Sequence, residues 1–262
     1  MNSRRNQLLI SSLLLFAVLA ACSTSPAGSS NGSTGGPAAA TSTSPSGECN
    51  NAYFPVSSGT SWSYSSTGGV LGDYTYGWTV ADVSDTGFTT NDQSSLGTGS
   101  TSSVKWNCQG GNLAALDSGA NSLSLSTSKV SMTTTSVTAE GFNIPASFNS
   151  GNTWSEKVTA KGTVVSATKT VDVQIDSDLT CSVAGNDSVT VPAGTFDAVK
   201  TTCTDMVSVS EINQGTPVPA AAPTPVNITN WYAKGVGLLK TVRVSSVGGT
   251  ATSVLTQYSI QK

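Results

Sequence analysis

The chain contains no histidine. That absence removes Ser-His-Asp and Cys-His nucleophilic catalysis, every histidine-dependent metal site and the usual proton shuttle near neutral pH. Charge is scarce as well: 10 % of residues are charged, 12 basic against 15 acidic. No Lys/Arg cluster occurs beyond Arg4-Arg5, which argues against nucleic acid as a partner. The most apolar stretch, Leu8 to Leu19, falls short of the about 20 residues a membrane helix needs. No segment sustains the 3.6-residue periodicity of an amphipathic helix. Neither a cofactor nor a metal is expected.

What is present points to strands. Ser and Thr make up roughly 30 % of the chain, far above ordinary usage, and a Thr-, Val- and Ser-rich chain with few charges suits β-strands. Alternation of period two recurs: Val171, Val173 and Ile175; Tyr74, Tyr76 and Trp78; Leu123 and Leu125; Val207 and Val209; Val242 and Val244. Each set assigns its apolar members to one buried face. Gly68-Gly69, Gly110-Gly111, Gly185-Asn186-Asp187, Pro192-Ala193-Gly194 and Gly248-Gly249 read as the turns between strands. Four prolines in Pro217 to Pro225 exclude a central strand and predict a long loop between a strand ending near Ile212 and another starting near Asn227.

The N-terminus reads as a targeting segment. Arg4 and Arg5 precede the short apolar run, which ends in Leu19-Ala20-Ala21-Cys22. That tetrad resembles the lipobox of bacterial lipoproteins. The resemblance implies a signal peptide over residues 1–21 and a lipid on Cys22, the new N-terminus, which anchors the protein to a membrane. Ser23 in place of Asp favours the outer membrane in a diderm cell; a single-membrane cell would carry the protein on its outer face. The segment 23–47, nearly all Ser, Thr, Gly, Pro and Ala, is expected to be a disordered tether spanning roughly 25–30 Å. Residues 22–47 thus form the lipidated linker and 48–262 one all-β domain.

Four further cysteines, Cys49, Cys108, Cys181 and Cys203, imply two disulfides in an exported protein, with three connectivities open. The favoured one, Cys49–Cys108 with Cys181–Cys203, keeps each bridge within one half of the chain. The spacings do not suit a four-Cys zinc site.

A weak internal echo relates Tyr53-Phe54-Pro55 through Gly59 and Trp62 to Ile144-Pro145 through Gly151 and Trp154. Each is a Pro, a small spacer, a Gly and a Trp that starts a strand. Two similar β-halves sharing one sheet system, with a seam near Ala139 to Gly151, would account for it.

Three stretches resemble a known family: Tyr53-Phe54-Pro55 with Gly59 and Trp62-Ser63-Tyr64; Val189 to Lys200, containing Pro192-Ala193-Gly194-Thr195-Phe196; and Trp231-Tyr232-Ala233-Lys234-Gly235-Val236-Gly237-Leu238. They are similar to the domain-of-unknown-function family 3108-like group of bacterial envelope proteins, often lipoproteins, over about residues 50 to 260. The resemblance implies an antiparallel β-barrel or half-barrel and brings no catalytic residues. Gly235 and Gly237 read as a kink or bulge at a barrel corner.

Several motifs look catalytic and are better read as architecture. Asp85-Thr86-Gly87 and Asp117-Ser118-Gly119 resemble aspartic-protease motifs, and paired carboxylates activate water without histidine; Asp-x-Gly is also a common turn. Ser126-Thr127-Ser128-Lys129 matches Ser-x-x-Lys, but its neighbours predict a strand, in which those two residues face opposite sides. Asp172, Asp176 and Asp178 read as a solvated strand face instead of a calcium site. Trp62, Tyr64, Tyr74, Tyr76 and Trp78 are the candidate binding residues, able to stack on sugars or line a lipid cavity, and equally able to form a barrel core. The resulting expectation is a non-enzymatic, lipid-anchored envelope protein that binds a hydrophobic ligand, a glycan or a protein partner. A purely structural surface lipoprotein is the alternative, and an aspartate-dependent hydrolase using Asp85 and Asp117 a second.

Overall fold

The computed structural model describes residues 47–96, 100–117, 130–166 and 168–261. Cys22, the leader, the tether and Ser126 to Lys129 lie outside the described residues. Among the described residues thirteen strands follow one another: β1 (Ser61–Gly68), β2 (Tyr74–Ala81), β3 (Gly87–Ser94), β4 (Ser100–Gln109), β5 (Asn112–Asp117), β6 (Val130–Gly141), β7 (Thr153–Ser166), β8 (Thr170–Val191), β9 (Gly194–Asn213), β10 (Thr216–Pro219), β11 (Thr224–Ala233), β12 (Gly237–Ser245) and β13 (Gly249–Ser259). All pairings are antiparallel, in the order β5-β4-β3-β2-β1-β13-β12-β11-β9-β8-β7-β6, with β10 attached to β9. The twelve-strand path is a nearly closed barrel. Its two ends meet where Leu113 of β5 bridges Ile144, beyond β6. There the Leu113 amide donates to the Ile144 carbonyl at 2.8 Å and the Asn143 amide returns to the Leu113 carbonyl at 2.9 Å. The Asn51 Nδ2 group ties this closure to the N-terminal segment by donating to the carbonyls of Gly111 and Pro145.

The two halves join along β1 and β13, from Ser61↔Ser259 to Gly68↔Ala251. The echoed tryptophans behave alike. Trp62 is the second residue of β1 and Trp154 of β7; both are buried, and both indoles donate to a backbone carbonyl, Val236 and Asn143 respectively. The seam differs from expectation. Residues Val130–Gly141 pair with β7, so the halves divide before Val130 instead of at Ala139 to Gly151.

Three other local expectations are corrected. Pro217 to Pro225 is not one long loop, because Thr216–Pro219 forms a hairpin with β9 and β11 starts at Thr224. The prolines remain compatible with pairing because β10 is an edge strand, all four of its residues exposed. Gly185-Asn186-Asp187 is no turn but a bulge within β8, where the register shifts between Val183 and Gly185. Lys234-Gly235-Val236 is the turn joining β11 to β12, so these glycines serve a hairpin and not a corner bulge. Gly237 has φ +112°, and a Cβ there would lie 3.1 Å from the Trp62 indole nitrogen. Pro192-Ala193 forms the expected two-residue loop between Val191 and Gly194.

The outer face is hydrated. On β7 and β8, Thr159 donates to Asp176, Thr163 to Asp172, and Lys157 pairs with Asp178 at 3.4 Å. Each carboxylate of the Asp172, Asp176 and Asp178 set is thus engaged by a cross-strand neighbour.

Candidate functional site in the barrel interior

Disulfides join Cys49 to Cys108 and Cys181 to Cys203. Cys181 and Cys203 are direct cross-strand partners on β8 and β9, with Cα atoms 4.0 Å apart.

The candidate aromatics all face inward, four of them in two neighbouring rows and Tyr74 in the row beyond. Trp62 and Trp78 are paired, as are Tyr64 and Tyr76. Tyr64 stacks on Tyr76 with ring centroids 4.9 Å apart and lies 4.9 Å from Trp78. Trp62 and Tyr64 are fully enclosed, and the Tyr64 hydroxyl donates to the Leu238 carbonyl. These two are core. Tyr74, Tyr76 and Trp78 also point inward but keep partial solvent contact.

The next row is polar across six adjacent strands. Tyr74 (β2) pairs with Ser66 (β1), Ser66 with Ser253 (β13), Ser253 with Thr241 (β12), Thr241 with Asn230 (β11), and Asn230 with Thr201 (β9). Side chains in one transverse row of a sheet share one face, so this row is a belt of hydroxyl and amide groups around the interior. Ser66, Ser253, Thr241 and Thr201 are buried. The hydroxyls of Thr201 and Thr241 are enclosed without a hydrogen-bond partner. A second polar trio runs across β2, β3 and β4: Trp78 pairs with Asp92 and Asp92 with Ser102. Trp78 Nε1, Asp92 Oδ1 and Ser102 Oγ are likewise enclosed and unpartnered.

Arg243 stands two residues beyond Thr241 on the same inward face of β12. Sequence alternation placed Val242 and Val244 inside; the structure reverses this strand. Val244 is 44 % exposed, whereas Thr241 and Ser245 are buried. Arg243 is crowded by protein yet retains some solvent contact. Its Nη1 has no hydrogen-bond partner. Burial lowers its pKa, opposed by Tyr76, Tyr74, Asp205 and Tyr232, which favour its charged form.

The interior carboxylates are held towards their neutral forms. Burial pushes Asp92 up to about 7 against an opposing hydrogen bond from Thr90. Burial, with repulsion from Asp205, pushes Glu156 up to about 7, opposed by Asn143; Asn143 Nδ2 donates to Glu156 Oε2 at 2.7 Å. Burial also raises Asp205, whose carboxylate accepts from the Ser177 hydroxyl at 2.7 Å.

The pair Asp85 and Asp117 is not assembled. Asp85 lies in the β2–β3 connection, before Gly87. Asp117 is opposite Lys105, and Lys105 opposite Thr89. The Asp117 backbone therefore lies two strand spacings, about 10 Å, from Thr89, and Asp85 is four residues further along the chain. Among the described residues no group of three or more His, Cys, Asp or Glu is arranged to hold a metal, and no helix is long and apolar enough to cross a membrane.

Arg243, Asn230, Thr201, Thr241, Glu156 and Asp205 were not singled out by sequence. One signal was available: Arg243 is the only arginine beyond Arg4-Arg5, set in a strand-like run whose other charge is Lys240.

Two solved structures resemble the fold. A "putative lipoprotein" from Parabacteroides distasonis is 17 % identical, covering 80 % of this chain and 99 % of its own, with a TM-score of 0.49. A "putative exported protein with YmcC-like fold" from Bacteroides fragilis is 13 % identical, covering 80 % and 100 %, with a TM-score of 0.48. No curated protein matches the sequence. The DUF3108-like family model matches residues 88–246, from the start of β3 to just past β12. That span contains Arg243, Thr241, Asn230 and Thr201, and more than half of the chain: it belongs to the DUF3108-like family.

Proposed function

We propose that this protein is exported, anchored to the envelope through a lipid on Cys22, and binds a hydroxyl-rich ligand such as a glycan inside its barrel without transforming it. The anchor rests on the Leu19-Ala20-Ala21-Cys22 motif behind a basic and apolar leader. The binding reading is carried by one observation: the interior bears enclosed hydroxyl, indole and carboxyl groups without partners, at Thr201, Thr241, Trp78, Asp92 and Ser102. Each buried polar group left unpaired costs about 1–3 kcal/mol. A hydrocarbon guest would leave that cost in place. A guest with many hydroxyls removes it, and its C–H faces suit the part-exposed rings of Tyr74, Tyr76 and Trp78.

Native mass spectrometry of the full chain, extracted from membranes in mild detergent, tests both parts. The expected result is a diacylglycerol mass on the peptide starting at Cys22 and a non-covalent carbohydrate adduct on the folded protein. An unmodified Cys22 overturns the anchor. A clean apo mass, together with no carbohydrate binding on a glycan array, overturns the ligand.

A further inference from the structure

Arg243 is more than another polar lining residue. It is the sole arginine of the domain, it faces inward, and one guanidinium nitrogen is enclosed without a partner. Among the described residues it takes part in neither ion pair; those are Lys157–Asp178 and Lys169–Glu211. The acid nearest in charge terms, Asp205, already accepts from Ser177. Around the guanidinium stand the phenols of Tyr74, Tyr76 and Tyr232. One residue pair away on the same strand lies the hydroxyl row, with Thr241 beside it and Asn230 and Thr201 across β11 and β9. Arginine presents a planar fork of donors that matches a carboxylate or phosphate in a bidentate way. An interior cation without an ion-pair partner among the described residues lacks the one group that would complete it.

We propose that Arg243 and the hydroxyl row of Thr241, Asn230 and Thr201 form a subsite for the acidic group, carboxylate or phosphate, of a sugar-like ligand. The acid seats on the Arg243 fork, and the ligand's hydroxyls exchange hydrogen bonds with the row. The inference rests on the reading that the barrel holds a hydroxyl-rich guest, and adds that this guest is an anion.

Ligand-observed NMR titration of the full chain in detergent provides the test, with glucuronate, glucose 6-phosphate and glucose as probes. Wild type is expected to bind at least one acidic probe about tenfold or more tighter than glucose, and the order of the two acids shows whether a carboxylate or a phosphate is preferred. Arg243→Gln should bring acid binding down to the level of glucose; Thr241→Val should weaken all three. Arg243→Lys, which keeps the charge but not the fork, should show an intermediate loss. Should Arg243→Gln fail to fold, the Arg243→Gln/Asp205→Asn double variant removes both charges together. Sulfate competition on wild type needs no variant and should displace the acids but not glucose. Equal binding of acids and glucose, or unaltered acid binding by the folded Arg243→Gln protein, overturns the anion subsite and leaves the barrel reading standing. If none of the probes binds and the membrane-extracted protein carries no carbohydrate, both readings fall.

Discussion

Glu156→Gln should make the barrel more stable at neutral and alkaline pH, in proportion to the cost of its buried charge. The side chain is 6 % exposed on β7, and burial with repulsion from Asp205 raises its pKa from 4.5 to about 7. Asn143 supports one oxygen, while Oε1 is enclosed without a partner. A carboxyl with a raised folded pKa binds its proton more tightly in the folded chain than in the unfolded one. Its contribution is therefore fully present below about 4.5, is lost as pH rises through about 7, and stays lost above. At 1.36 kcal/mol per pH unit, the interval amounts to about 3 kcal/mol. Glutamine keeps the acceptor for Asn143 and removes the charge, so the variant should match wild type near pH 4.5 and exceed it by up to about 3 kcal/mol near pH 8. For a domain of this size that is roughly 6–12 °C in Tm. Thermal melts of both proteins followed by circular dichroism across that range read the difference directly, because every other titrating group is shared. A Glu156→Gln protein whose Tm tracks wild type at all pH values, or falls below it near pH 8, refutes the reasoning.

Four further outcomes are expected. Replacing Cys49 and Cys108 by alanine should cost about 4 kcal/mol, and replacing Cys181 and Cys203 about 3 kcal/mol, from loops closed over 59 and 22 residues; urea unfolding gives the order. Gly237→Ala should cost about 1–3 kcal/mol for strain at φ +112°. It should also displace the Trp62 indole from the Val236 carbonyl, visible as a shift in tryptophan fluorescence. Leu113→Ala, at a fully buried position of the closure, should cost about 2–5 kcal/mol and speed hydrogen exchange selectively at the Leu113 and Ile144 amides. Cys22→Ser should move the protein from the membrane pellet to the soluble fraction without changing its melting temperature.

The strands were legible because alternation is a local property. Val173, Ile175, Val207 and Val209 face inward, as their spacing requires, and the Pro192-Ala193 loop follows from its own residues. The phase of alternation is not local. On β12 the apolar residues Val242 and Val244 point outward, and Thr241, Arg243 and Ser245 point inward, because the neighbours on β11 and β13 fix the register. A polarity rule applied to one strand inverts such a strand. The belt was invisible for the same reason: Tyr74, Ser66, Ser253, Thr241, Asn230 and Thr201 are scattered between positions 66 and 253, and only pairing across six strands aligns them. Glu156 and Asp205 carry no local sign of burial, which only the closed sheet imposes. The prolines of β10 misled in another way, since an edge strand tolerates residues that a central strand does not.

The polar interior carries a physical implication of its own. Stability in a β-barrel comes mainly from apolar side chains filling the interior, and a row of six polar residues forgoes that gain over half the circumference. The structure places compensation on either side of it. The row towards β9's start holds Val199, Tyr232, Leu255, Tyr64 and Tyr76, rings and aliphatics in contact. The row on the other side holds Cys203, cross-linked to Cys181, beside Ile228 and Arg243. The row that holds Arg243 is thus covalently braced at β8 and β9. Apolar replacements at Thr201 or Thr241 would match valine in shape and remove unpaired hydroxyls, so stability alone would favour them. Polar groups at these two positions are what an interior built to exchange hydrogen bonds with a guest requires, and what a merely structural barrel would be better without.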